Sequence, residues 1–94
     1  MKIYISGPIT GIENDNREAF ERKKKALKKC GYKVFSPIDA PKYKTWGEYM
    51  RYDIKRLCDC DAICMLPGWR KSIGATLELH IARVLELDIF YHDQ

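Results

Sequence analysis

Short apolar stretches alternate with amphipathic stretches of helical length along this chain, and glycines, prolines and polar clusters mark the changes between them. Strands that alternate with helices form parallel sheets with right-handed crossovers. The expected fold class is therefore α/β: a small three-layer α/β/α sandwich, flavodoxin- or Rossmann-like, with a four-stranded parallel sheet in the order 2-1-3-4. A third observation marks one edge of that sheet, because each of two helices carries a carboxylate inside its apolar stripe.

Residues 2–6 (KIYIS) read as a buried strand closed by Gly7-Pro8. Asp15 and Glu18 have the spacing of a capping box and open a helix expected to run to Lys29 or Cys30 and to stop at Gly31. Residues 32–35 (YKVF) are the second strand, and Pro37 and Pro41 hold the following loop open. Thr45 and Glu48 form another capping-box pattern, for a helix from Trp46 to about Cys58. Residues 62–66 (AICML) give the third strand, 67–72 a loop, 73–86 the third helix and 89–91 a last short strand. Ligands of such sheets bind beyond the carboxyl ends of the strands. Here that edge is built by GPITG after the first strand, the loop after the second, and PGWRKS after the third.

Ninety-four residues point to one domain, 1–94, with 46% hydrophobic and 32% charged residues, the proportions of a globular chain. No apolar run reaches the roughly 18 residues of a membrane span, and MKIYISGP has neither the apolar core nor the cleavage site of a leader, so the expected location is the cytoplasm. The four cysteines are read as reduced. Cys58, Cys60 and Cys64 lack a C-x-x-C spacing, with Asp61 and His80 the only further ligands nearby, so no metal or other cofactor is expected. The net charge of +4 comes largely from Arg22 to Lys25, Lys28 and Lys29, interleaved with Glu18 and Glu21 as on a solvated helix face. Nucleic-acid binding is the weakest reading, for no aromatic-interleaved basic patch accompanies these charges.

On a wheel of 100° per residue, Leu77, Ile81, Ala82, Val84 and Leu85 form one stripe of the third helix, and Glu78 sits in its middle. The second helix repeats the pattern, with Asp53 among Trp46, Tyr49, Met50 and Leu57. A buried unpaired carboxylate costs several kcal/mol or shifts its pKa. Each acid is thus either a satisfied structural group, paired with Arg51 or Arg70 or bonded to backbone amides, or a working one. Strand alternation puts Tyr4 and Ser6 on one face, and a phenol beside Glu78 could hold the carboxylate in one rotamer. An ionised carboxylate shielded from water is what covalent catalysis at an anomeric carbon requires.

The succession of YISGPITG, RYDIKRLCDCDAICML and SIGATLE resembles the nucleoside 2-deoxyribosyltransferase family and its nucleotide N-glycosidase relatives, and among them a small branch of unknown function. The resemblance implies that Glu78 is the nucleophile, Asp53 the acid that assists departure of the base, and Tyr4 the phenol that positions Glu78. It implies substrate contacts from Ser6, the loop residues Gly7, Pro8, Ile9 and Gly11, and from Gly68, Trp69, Ser72 and Gly74. Asp61 matches an acid whose role in the family looks structural. Ser72 stands where transferases acting on free nucleosides carry an acid, which resembles instead the branch acting on nucleoside 5′-monophosphates. A hydroxyl at a helix start accepts a phosphate as neighbour, where a carboxylate would repel it. Family members often complete the pocket with a residue of a neighbouring subunit from beyond the last strand, and here only His92, Asp93 and Gln94 follow.

The leading expectation is cleavage or transfer of the N-glycosidic bond of a nucleotide, a nucleoside 5′-monophosphate, through a glycosyl ester on Glu78. The alternative is a binding module that holds a nucleotide without turning it over. The expected partners are a nucleoside or nucleotide and further copies of the chain, as a homodimer or higher homo-oligomer, because Trp46, Tyr49, Tyr52 and Trp69 are more large aromatics than one small core hides.

Overall fold

A computed structural model describes residues 1–91. His92, Asp93 and Gln94 lie outside the described residues. Four strands, β1 (Lys2–Ser6), β2 (Lys33–Phe35), β3 (Ala62–Met65) and β4 (Asp88–Tyr91), form one parallel sheet in the order β2-β1-β3-β4. The order is the expected one.

Helix α1 (Arg17–Lys29) covers one face, where Ile3, Ile5, Ala62, Cys64 and Leu66 pack with Phe20 and Leu27. Helices α2 (Trp46–Cys58) and α3 (Ile73–Val84) cover the other, over Tyr4, Ile63 and Met65. Alternation along β1 and β3 makes this division. Odd residues of β1 face α1, and Tyr4 and Ser6 face the opposite layer.

The second capping box forms as expected, with Thr45 Oγ1 accepting from the Glu48 amide at 3.1 Å and the Glu48 carboxylate accepting from the Thr45 amide at 3.1 Å. The first does not. Asn14, Asp15 and Asn16 all take left-handed backbone angles, so α1 begins at Arg17 with no side-chain cap. Asn16 instead donates its amide to the Pro8 carbonyl at 2.9 Å, which ties the loop after β1 to the start of α1. Asparagine and aspartate tolerate the left-handed region better than other residues with a Cβ, and three in succession take the chain through that turn.

Two further expectations are corrected. α3 ends at Val84, two residues early, because Glu86 adopts φ +61 and turns the chain into β4. Its buried face is Ala75, Glu78, Leu79 and Ala82, whereas Leu77, Val84 and Leu85 are exposed. The helix is apolar on two sides, and its small-residue side packs against the sheet. Of the four aromatics expected at an interface, Tyr49 and Tyr52 stack on Tyr43, with ring centroids 5.4 and 5.9 Å apart, and Trp69 packs on the core, leaving Trp46 exposed.

Two glycines set spacings around the site. A Cβ on Gly7 would stand 2.8 Å from Leu66 Cβ, closer than side chains pack, while one on Gly74 would meet the flexible Met50 Sδ at 3.3 Å. Gly7→Ala is expected to cost about 1–3 kcal/mol, as overpacking does. Gly74→Ala, in the first turn of a helix, is expected to stay within about 1 kcal/mol of wild type. Urea unfolding of both variants checks the pair, and equal losses would show that the Gly7 contact is not the tighter one.

Candidate active site

The carboxylate of Glu78 is held from two sides. Tyr4 donates its phenol to Oε2 at 2.8 Å, and Ser6 donates its hydroxyl to Oε1 at 2.7 Å. The two donors are alternate residues of β1, so a strand that faces α3 with one must face it with the other. Glu78 stands in the second turn of α3, close to the carboxyl end of β1, and is 4% exposed. Ser72 caps that helix, its Oγ accepting from the Ala75 amide at 3.1 Å.

Asp53 comes from the inner face of α2 and is buried, with its Oδ1 lacking any hydrogen-bond partner. Neither expected ion pair forms. Among the described residues no salt bridge reaches Glu78 or Asp53, and the Arg70 guanidinium lies instead over the Trp69 ring at 4.6 Å.

Burial pushes both carboxyls up to about 7, but the remaining forces on them differ. The Ser6 and Tyr4 hydroxyls favour the charged form of Glu78 and pull its pKa back down. Asp53 has no such donors, and the charge of Glu78 raises it further. The hydroxyls thus favour the ionised form of Glu78, and its charge favours the protonated form of Asp53. Burial, and after it the nearby carboxylates, hold the Tyr4 phenol well above its ordinary value, so it remains a donor.

The other candidate residues divide. Gly7 is pressed against Leu66, and Pro8 is buried behind it. Ile9 packs into the cluster of Ile5, Phe20 and Leu66, on the α1 side of the sheet and away from Glu78. Gly11, at φ +82, has open space around it. Gly68, at φ +84, turns the chain after β3 so that Trp69 packs on the core beside Tyr91, with ring centroids 5.9 Å apart. The Trp69 Nε1 is buried without an acceptor. Gly74 sits against Met50, where it brings α2 and α3 together.

Ser6, among the expected substrate contacts, donates its hydroxyl proton to Glu78. The signal lay in the alternation that puts it on the face of Tyr4. Asp61 accepts from the Lys2 amide at 2.8 Å, joining β1 to the start of β3, a structural contact. Cys30, Cys58, Cys60 and Cys64 are all free thiols, and among the described residues no three His, Cys, Asp or Glu side chains gather as a metal site would need.

Residues 1–91 match the family described as a domain of unknown function (DUF4406). The chain belongs to this family. Among solved structures, a 2-deoxyribosyltransferase from Bacillus psychrosaccharolyticus, described as a biocatalyst for the synthesis of antiviral and antitumoral nucleosides, matches with a TM-score of 0.75 over 97% of this chain and 71% of that one, at 18% sequence identity. This DUF4406 chain thus has the nucleoside 2-deoxyribosyltransferase fold. A sequence search of curated proteins finds no match. No described helix of the DUF4406 chain is long and apolar enough to cross a membrane.

Both carboxyls have folded-state pKa values above those of an unfolded chain, so the folded protein binds more protons between about pH 4 and 7. Their contribution to stability is complete below about pH 4 and is lost as pH rises through 7. Denaturant unfolding at pH 5 and pH 8 is expected to show the loss. Asp53→Asn is expected to flatten the profile and to raise stability at pH 8 by on the order of 1–2 kcal/mol. A wild type more stable at pH 8 than at pH 5 would contradict the assignment.

Proposed function

We propose that this site cleaves or transfers the N-glycosidic bond of a nucleoside 5′-monophosphate, with Glu78 as nucleophile. The observation that carries the reading is the division of roles between two buried carboxyls. One is oriented and kept ionisable by two hydroxyls, and its charge favours the protonated form of the other. Retaining glycoside chemistry needs such a pair.

A Glu78 oxygen attacks the anomeric carbon, the carbon–nitrogen bond breaks with its electrons leaving on the base, and the Asp53 proton passes to a base nitrogen. In the second half, water or another base attacks the same carbon, gives its proton to the Asp53 carboxylate, and frees Glu78. Tyr4 and Ser6 fix the Glu78 rotamer in both halves, so little reorganisation accompanies attack.

The monophosphate preference rests on Ser72. Its oxygen accepts from Ala75, but its proton remains free to donate at the start of α3, where the helix dipole favours an anion. Arg70 and Lys71, both exposed, add positive charge nearby.

A second reading is a module that binds a nucleotide and leaves it intact. The burial of Glu78 favours it, because only 4% of that residue is open to an arriving sugar. Incubation with nucleoside and deoxynucleoside monophosphates, followed by chromatography, separates the two. Release of free base is expected, falling by at least about 10³-fold in Glu78→Gln and about 10²-fold in Asp53→Asn. Ligand-dependent melting with every nucleotide recovered unchanged would leave the module.

The phosphate contact has its own test. Ser72→Asp is expected to weaken nucleotide affinity by at least about 1 kcal/mol, since like charges about 4 Å apart at an effective dielectric near 20 repel by about 4 kcal/mol before screening. Nucleoside affinity is expected to stay level. Asp is as good a cap as Ser, so a mere capping role predicts no change in either ligand. Calorimetry that finds an equal change for both would remove the phosphate site.

A further inference from the structure

Asn16 occupies the position before the first turn of α1, where an asparagine ordinarily turns its side chain onto the helix's own amides. Here it does not. Its carboxamide reaches back across the chain and donates to the Pro8 carbonyl at 2.9 Å. With that contact go three left-handed residues in succession, none of them glycine: Asn14, Asp15 and Asn16 take φ of +53, +56 and +58. Such residues are strained, asparagine and aspartate less than others, and the strain persists only where the surroundings fix it. The chain thus forgoes a helix cap and holds a strained turn, and the side-chain contact that results is the one to Pro8.

Pro8 lies between that carboxamide and the candidate site. It is buried, and among the described residues no donor other than Asn16 reaches its carbonyl. On the other side its ring adjoins the loop after β3, where a Cβ on Gly68 would stand 3.4 Å from Pro8 Cγ. Two residues before Pro8, Ser6 holds Glu78, and four residues after Gly68, Ser72 caps α3. One hydrogen bond from behind therefore fixes the residue on which the loops after β1 and β3 meet.

We propose that Asn16 is a positioning residue: its carboxamide holds the loop of residues 7–11 in the place where, with the loop after β3, it walls the site at the carboxyl edge of the sheet. The nature of the substrate rests on the glycosyl-transfer reading; the holding of the loop does not. Asn16 acts through Pro8 alone and meets no reacting atom.

The chemistry of the position separates this role from a turn that merely needs a left-handed residue. A buried carbonyl left without a donor is costly, and asparagine joins a short amide donor to a tolerance of the left-handed region. Glycine takes that region without strain but has no donor. An ionised aspartate takes it but only accepts. Were position 16 to serve the turn alone, Asn16→Gly would be neutral or better.

The test compares Asn16→Gly and Asn16→Asp with Asn14→Gly, which relaxes the same turn and leaves the carboxamide in place. The Ile12 amide closes the loop by donating to the Ile9 carbonyl at 3.3 Å. Its hydrogen exchange without ligand, followed by NMR, is expected to be at least about tenfold faster in both Asn16 variants than in wild type or Asn14→Gly. By calorimetry, deoxynucleoside monophosphates are expected to bind about tenfold more weakly to both Asn16 variants and unchanged to Asn14→Gly, because only the chains with the loop in place are competent. Exchange unchanged in Asn16→Gly would overturn the proposal. Faster exchange with undiminished affinity would overturn it too, as the mark of a bond that only stabilises the fold. A wild type that binds no nucleotide would count against the glycosyl-transfer reading instead, and the exchange arm would still decide whether Asn16 holds the loop.

Discussion

The constraint on which the rest of the structure depends is the burial of one carboxylate. Glu78 is taken out of water, and only hydrogen bonds of good geometry make that tolerable. The two that it accepts come from residues 4 and 6 of one strand, which fixes β1 against α3. A slip of one residue would turn Ile3 and Ile5 toward the carboxylate and leave it without donors. The neighbouring close contacts serve the same geometry. Gly7 lets the chain leave β1 against Leu66, and Gly74 lets α2 approach α3, which carries Asp53 into electrostatic reach of Glu78.

The two acids are not equivalent, although they are buried to a similar degree. Hydrogen-bond donors make the difference. Each hydroxyl aimed at Glu78 stabilises its anion, while the unpartnered Oδ1 of Asp53 leaves its neutral form the better one. The arrangement reinforces itself, because once Glu78 is charged it opposes the ionisation of Asp53. Titration of such a pair belongs to both members.

The succession of strands and helices and the inward Asp53 were legible in the sequence because they rest on periodicity, the strongest local signal, whereas Glu78 was placed inward among neighbours that are mostly exposed. Thr45 and Glu48 were legible for another reason, since their capping box is a contact between neighbours. Asp15 and Glu18 have the same spacing and fail. The backbone of Asn14, Asp15 and Asn16 is left-handed there, and the Asn16 amide is drawn to Pro8, a contact that no helix-start rule contains. The Ser6–Glu78 hydrogen bond was not legible, because alternation says which face a side chain takes, not which neighbour it meets.

The phase of α3 is the most instructive miss. A wheel with two apolar sides has two candidate inner faces, and the larger residues do not choose between them. Ala75 and Ala82 do, because small side chains let the helix axis approach the sheet closely enough for Glu78 to reach Tyr4 and Ser6. A bulkier inner face would lift the helix and leave the carboxylate short of both hydroxyls. The apolar bulk of Ile73, Leu77 and Val84 is thereby displaced to the outside. The demand for a short reach inward and the exposed stripe outward are thus two consequences of one packing choice, made by the two alanines of the inner face.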